Sequence, residues 1–303
     1  MSLALLFPGQ GAQHPKMLPW LLARPEAPPL QTLGASLGAD WRTRLDDEHW
    51  LQVNTVAQPL LTALALAAWR VLAERLPRPV AIAGYSVGEV AAFAAAGVMD
   101  DAAALAFAVE RAEAMSDCPA AAGTGLLALQ GPRAGELAAQ AKDLHLAIRI
   151  GADRVIVGGP RQALERQAAA WTAAGMRCTP LPISLASHTP ALAGAADELA
   201  LRLAVMPLQP PVTALVCNFT GTAVRQPAAL AAALAGQVGS PVLWDDCMDS
   251  VAERQPRCVL EVGPGRTLAG MWEVRHPGIP VRSVDDFQQP EGVWRWVQQS
   301  LAD

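Results

Sequence analysis

The sequence predicts an α/β fold in which a parallel sheet, covered by helices on both faces, is interrupted by a second, smaller sheet unit. Three observations carry that reading. Short apolar runs at residues 3–7, 80–83, 214–218 and 258–262 alternate with stretches of helical spacing, and runs without in–out alternation belong to strands buried on both faces. Residues 80–97 read as strand, glycine turn and alanine-rich helix in direct succession. Residues 126–183 read as β-α-β-β-α-β, the order of a ferredoxin-like unit.

Composition sets the outer limits. The 303 residues are 52% hydrophobic and 17% charged, with a formal net charge of -5. That apolar content supports a large core and excludes a disordered chain, and the length accommodates one large domain with a smaller one attached. A mild negative charge argues against nucleic-acid binding, which needs cations to displace phosphate counterions. The cysteines at positions 118, 178, 217, 247 and 258 are odd in number and form no Cys-x-x-Cys pair. Neither a disulfide framework nor a zinc knuckle is therefore expected, and a cytoplasmic setting is. The start, MSLALLFPGQG, has no basic residues before its apolar run and breaks at Pro8-Gly9, unlike a secretion signal. No run is expected to reach the roughly 18–20 apolar residues of a membrane span.

Taken in order, residues 3–7 form the first strand, whose end opens at Pro8-Gly9 into a glycine loop; ligands of parallel sheets gather at such ends. Residues 15–50, with several Pro and Trp and weak periodicity, are expected to be short helices and loops with no catalytic group. A helix over 56–76 is stopped by Pro77 and Pro79. Strand 80–83, the turn 84–88, helix 89–97 and a helix over 101–115 follow, the last capped by Asp100 or Asp101. In the insert, strands at 126–129, 146–150, 154–158 and 178–183 bracket helices at 133–141 and 161–174. Beyond it come a helix over 190–205, strand 214–218, a helix over 228–238, and strand 258–262 leading into Gly263-Pro264-Gly265.

The sharpest chemical feature is Gly84-Tyr85-Ser86-Val87-Gly88, a G-x-S-x-G turn between strand and helix. Glycines flank the serine because so tight a turn leaves no room for side chains, and the turn presents Ser86 as a nucleophile. The N–H of Val87, at the helix start, can donate to a developing oxyanion. A serine needs a base. Of His14, His49, His145, His188 and His276, His188 stands just past a strand end and before a helix, a position from which a ring can reach a neighbouring elbow. The alternative is a surface histidine, and His14, after the first glycine loop, can also lie near the site. In that loop Gln10 sits between Gly9 and Gly11, where its backbone N–H can serve as a second oxyanion donor or the glycines can simply permit a turn. Arg111 is either a bidentate fork for a carboxylate or, flanked by Glu110 and Glu113, a salt-bridged surface group. Histidines and acids stand at no ligand spacing, so no metal is expected.

Together, FPGQGAQ at residues 7–13, Gln58-Pro59, GYSVGE at 84–89, Arg111, Ser187-His188 and Glu261-Val262-Gly263-Pro264-Gly265 resemble the malonyl-CoA:acyl-carrier-protein transacylase family, in order and over nearly the whole chain. The resemblance implies an α/β-hydrolase-like large domain over 1–122 and 189–303, interrupted by a ferredoxin-like small domain over 123–188, with the active site between them. It makes Ser86 the acylated nucleophile, His188 its base, Gln10 and Val87 the oxyanion hole, and Arg111 with Gln58 the substrate-binding pair. In this family a backbone carbonyl orients the histidine; Ser240-Pro241-Val242-Leu243-Trp244 matches that region, so Leu243 is the expected donor of the carbonyl, with Asp245 as a fallback acid.

The implied reaction moves a malonyl group from malonyl-CoA to the phosphopantetheine-type thiol of an acyl carrier protein, with no bound cofactor, nucleic acid or membrane involved. Where the family usually has His before the nucleophile, this chain has Tyr85, its single tyrosine. That variant resembles the epsilon subunit of malonate decarboxylase, which implies the delta carrier subunit and other subunits of that complex as partners. The alternatives are the transacylase of fatty-acid synthesis and a serine thioesterase or hydrolase.

Overall fold

The computed structural model describes residues 2–24 and 27–302; residues 25 and 26, inside the stretch expected to hold loops, lie outside it. The strands are β1 (Leu3–Phe7), β2 (Ala81–Gly84), β3 (Thr124–Gln130), β4 (His145–Gly151), β5 (Arg154–Pro160), β6 (Arg177–Pro180), β7 (Ala214–Val216), β8 (Ala223–Val224), β9 (Val242–Leu243), β10 (Cys258–Glu261) and β11 (Val281–Ser283). One six-stranded sheet has the order β11-β10-β1-β2-β7-β8, parallel except for the β7–β8 hairpin. Every residue of β1, β2 and β10 is buried, as the apolar runs require of strands covered on both faces.

The second sheet has the order β6-β3-β5-β4-β9, with β3 to β6 antiparallel in the ferredoxin-like order and β9 joining parallel to β4. Its two faces are both buried, against different partners. Leu127, Leu129, Val155 and Val157 pack under Ala134, Ala138, Leu164 and Trp171 of its own helices. Leu126, Ile148, Ile150 and Ile156, one residue out of phase, pack toward Tyr85, Trp244 and Met271 of the first sheet's region. The two sheets thus meet over the C-terminal ends of β1 and β2.

Helix Asn54–Ala73 corrects one expectation: it is long and apolar enough to cross a membrane, yet 83% of its most apolar window is buried inside the protein, where it packs against helices Asp101–Ser116 and Pro28–Leu37. Strand 178–183 is shorter than expected and ends at Pro180. Helices Trp244–Ala252, Thr267–Arg275 and Pro290–Ala302, with β8, β9 and β11, are additions to the sequence reading.

Candidate active site

Steric exclusion builds the elbow. A Cβ on Gly84 would lie 2.2 Å from the Gly88 carbonyl, and one on Gly88 would lie 2.2 Å from the Phe7 oxygen. Only glycine lets strand β2, the helix Gly88–Ala95 and the end of β1 approach so closely. Between the two glycines the chain passes through Ser86 at φ 55, in the left-handed region, a conformation worth about 1–3 kcal/mol of strain that its neighbours must hold. Asn218, just past β7, holds it from one side: Ser86 N–H donates to Asn218 Oδ1 at 2.8 Å, and Asn218 Nδ2 donates to the Gly84 carbonyl. The Asn218 amide so continues, by side chain, the pairing that β7 gives β2 only as far as Ala83.

His188 is also left-handed, at φ 64, and fully buried. Its N–H donates to the Val238 carbonyl, and Thr189 Oγ1 ties back to the Ala186 carbonyl. Its Nε2 lies 2.7 Å from Ser86 Oγ, while Nδ1 donates to the backbone carbonyl of Gln237 at 2.5 Å. That second bond leaves Nε2 as the acceptor of the serine proton. Burial, reinforced by the Arg111 charge and opposed by the Gln237 carbonyl, pushes the imidazole pKa down to about 3, so it stands neutral at physiological pH.

The structure corrects Leu243 as the carbonyl that orients the histidine. Leu243 is committed to β9, paired with Arg149 of β4, and its N–H donates to Asn218. Gln237 serves instead because it lies in the last turn of helix Pro227–Gly239, where carbonyls have no intrahelical partner. The fallback acid Asp245 is likewise placed elsewhere: Arg149 Nε donates to both its oxygens at 2.8 Å.

Gln10 and Val87 both line the cavity at Ser86, and among the described residues neither backbone N–H has an acceptor within the chain. The first loop is pressed onto the elbow, since a Cβ on Gly9 would lie 2.5 Å from the Tyr85 carbonyl. Gln10 Nε2 turns away to the Gln52 carbonyl at 3.3 Å. The Gly263-Pro264-Gly265 segment braces the same loop from behind, where a Cβ on Gly263 would strike Pro8 at 2.6 Å. His14 takes no part at the serine; it pairs with Asp285 at 2.7 Å beside a neighbouring cavity.

Arg111 is 1% exposed and faces the same cavity, so the surface reading fails for it. Its Nη1 donates to Gln58 Oε1 at 2.5 Å and Nη2 to Gln237 Oε1 at 3.4 Å. Burial lowers its pKa to about 10, with buried Glu89 acting against that shift, and it remains a cation at neutral pH. The cavity holds about 240 Å³, and its lining includes the polar groups Gln10, Gln58, Ser86, Arg111 and His188. Leu126, Ile148, Ile156, Leu181 and Met271, one apolar cluster, form its apolar wall. Tyr85 lies at the floor of that wall, edge-on to Trp244 at 5.1 Å. Asn218 and the side chain of Gln237 escaped the sequence reading, and Glu89 entered it only as the last residue of the GYSVGE motif; a polar residue ending the apolar run 214–218 was the one signal available for Asn218.

A serine hydroxyl against a neutral imidazole, two unengaged N–H donors and a buried cation lining one cavity suit acyl transfer from an acid-bearing acyl group. Comparison with known proteins agrees. Residues 43–275 match the acyl transferase domain family. A curated relative from Mycobacterium tuberculosis, the malonyl CoA-acyl carrier protein transacylase, is 33% identical over 93% of this chain and 96% of its own length. The crystal structure of an acyl-carrier-protein S-malonyltransferase from Burkholderia pseudomallei superposes with a TM-score of 0.89 at 28% identity, covering 97% of this chain and 100% of that one. A malonyl-transacylase solved in complex with its type II PKS acyl-carrier protein gives a TM-score of 0.88 at 28% identity, covering 97% and 99%. The chain belongs to the acyl transferase domain family, as an enzyme of its malonyl CoA-acyl carrier protein transacylase branch.

Proposed function

We propose that this protein transfers a malonyl group from malonyl-CoA to the prosthetic-group thiol of an acyl carrier protein through a malonyl ester on Ser86. The observation that carries the reading is the convergence of the Ser86–His188 pair, at 2.7 Å, and the buried Arg111 on one cavity. His188 Nε2 takes the Ser86 proton as Oγ attacks the thioester carbonyl. The N–H groups of Gln10 and Val87 hold the tetrahedral oxyanion, a contribution of about 2.7–4 kcal/mol per donor. Collapse breaks the C–S bond, and the proton on Nε2 passes to the departing thiol of CoA. The carrier's thiol then gives its proton to His188, attacks the ester and returns the serine hydroxyl. Arg111 holds the distal carboxylate throughout, with Gln58 steering the guanidinium. We take residues 123–188 as the small domain that closes the cleft over 1–122 and 189–303; its apolar wall keeps water from the ester, which separates a transferase from a hydrolase.

The relatives, and the transacylase seen with its own type II PKS acyl-carrier protein, support a carrier protein as acceptor and favour a transacylase of the fatty-acid-synthesis type over a malonate decarboxylase subunit. One observation, Tyr85 before the nucleophile, favours a second reading as the epsilon subunit of malonate decarboxylase, loading its delta carrier subunit. Incubation with malonyl-CoA should add one malonyl group to Ser86 by mass spectrometry. Offering the two carriers to that adduct then separates the pathways by which thiol is loaded, and release of free malonate to water in place of either transfer would refute the transferase reading.

A further inference from the structure

Two neutral amides steer the Arg111 guanidinium. Among the described residues it forms no salt bridge, and its Nε has no partner. Glu89, buried nearby, accepts from the N–H of Asn218 at Oε1 and has no hydrogen-bond partner at Oε2; burial raises its pKa to about 8, so near neutral pH it is mostly protonated and offers the guanidinium little counter-charge. Each amide is itself oriented so that its oxygen faces the cation: Gln58 Nε2 donates to Asn54 Oδ1 at 2.6 Å, and Gln237 Nε2 donates to the Ser86 carbonyl at 3.2 Å. Gln237 consequently touches three groups of the site, with its side-chain oxygen toward Arg111, its side-chain nitrogen on the Ser86 peptide and its backbone carbonyl on His188.

Resting on the malonyl-transfer reading, we infer that the Gln237 side chain is a specificity-determining positioning residue: it sets where Arg111 stands relative to Ser86 and, being neutral, leaves the guanidinium's charge for the carboxylate of the incoming acyl group. An amide oxygen accepts a hydrogen bond without cancelling the cation. A carboxylate in its place would close an ion pair in a desolvated site and compete directly with the substrate's own carboxylate. At 3.4 Å the Gln237 contact is long for an N–H···O bond, so it guides the fork while leaving its donors available.

The test compares wild type, Gln237→Glu and Gln237→Met with malonyl-CoA and acetyl-CoA as donors, reading kcat and KM for each, alongside thermal melts. In Gln237→Glu the malonyl-over-acetyl ratio of kcat/KM should fall by about tenfold or more, chiefly through a higher KM for malonyl-CoA. Gln237→Met, close in size but unable to accept from Arg111, should lower the same ratio by a smaller factor and stands in if the glutamate variant fails to fold. The pH profile of acylation should stay as in wild type for Gln237→Met, because His188 leans on the backbone carbonyl that this variant keeps and no titratable group is added. An unchanged ratio, or equal loss on both thioesters, overturns the inference. A wild-type protein that forms no adduct on Ser86 or shows no preference for malonyl overturns the underlying function instead.

Discussion

The two sheets divide the labour of the site. The six-stranded parallel sheet and its helices supply Ser86, Val87, Gln10, Arg111 and Gln58, each at or just beyond the end of a strand or on a helix packed against it. The second sheet lends the cavity chiefly apolar side chains, from Leu126, Ile148, Ile150 and Ile156, together with Arg154, and its last strand precedes His188 in the chain. Reacting groups need fixed directions, which the buried strands and glycine contacts of the first sheet enforce. A wall needs only to exclude water and fit, which a sheet whose other face is packed under its own helices can do.

If that division holds, the largest effects belong to the first sheet. Ser86→Ala should abolish the malonyl adduct and the burst of CoA, and His188→Ala should lower the acylation rate by a factor on the order of 10⁴–10⁶, both with the fold retained as read by melting temperature. Arg111→Ala should reduce the malonyl-over-acetyl preference by up to ~10⁴, since a site built around a charged partner rejects analogues lacking it. Retention of the preference would assign recognition to the wall and end the comparison. Because His188 is held neutral with a pKa of about 3, the acid limb of acylation should lie well below the ordinary histidine range near 6.5.

Much of this was legible before any coordinates. The elbow was, because two glycines around a serine between strand and helix admit one steric explanation, and the contacts at Gly84 and Gly88 are that explanation. The contact between Ser86 and His188, 102 residues apart, was not readable from residue spacing and came from resemblance to a family. The orienting carbonyl was misplaced at Leu243 because a backbone group leaves no mark in the sequence; the clue was the helix end at Gly239, which frees the Gln237 carbonyl. Strand β3 hid its two faces because both are buried, so Leu126 and Leu127 look alike while packing on opposite sides. Strand β9, two residues long, carries no periodic signal at all. Helix Trp244–Ala252 did carry one, with Trp244, Cys247, Met248 and Val251 buried at helical spacing.

The wall gives effects on stability instead. Ile148→Ala or Ile156→Ala should cost about 2–5 kcal/mol in urea unfolding, as buried Ile→Ala changes do, while acylation by malonyl-CoA changes less than about tenfold. A smaller effect marks the charges inside the first sheet. Burial raises Glu89 and Glu261 from 4.5 to about 8, so between those values the folded protein keeps protons that the unfolded chain has released. Stability therefore falls as pH rises toward 8. His188 works oppositely, losing stability as pH falls below 6.5, so above that value the carboxylate slope stands alone. Glu261→Gln should flatten the slope between pH 6.5 and 8, and an unaltered slope would place its origin elsewhere.

The smallest expected effect tests how the wall is tied to the machinery. Arg149 of β4 reaches across to Asp245 and Asp246 at the start of helix Trp244–Ala252, the helix that also places Trp244 against Tyr85. With the Arg149 side chain 36% exposed and Asp246 46% exposed, water and salt screen the Arg149–Asp246 link. Asp246→Asn should thus cost about 0–1 kcal/mol, less at high ionic strength, and leave acylation unchanged. The apolar face of the second sheet, packed on Tyr85, Trp244 and Met271, then suffices to hold the wall in register over Ser86. A clear loss of acylation at unchanged stability would show the reverse: that a surface charge pair sets the wall's position, and that the second sheet takes part in the chemistry through its placement.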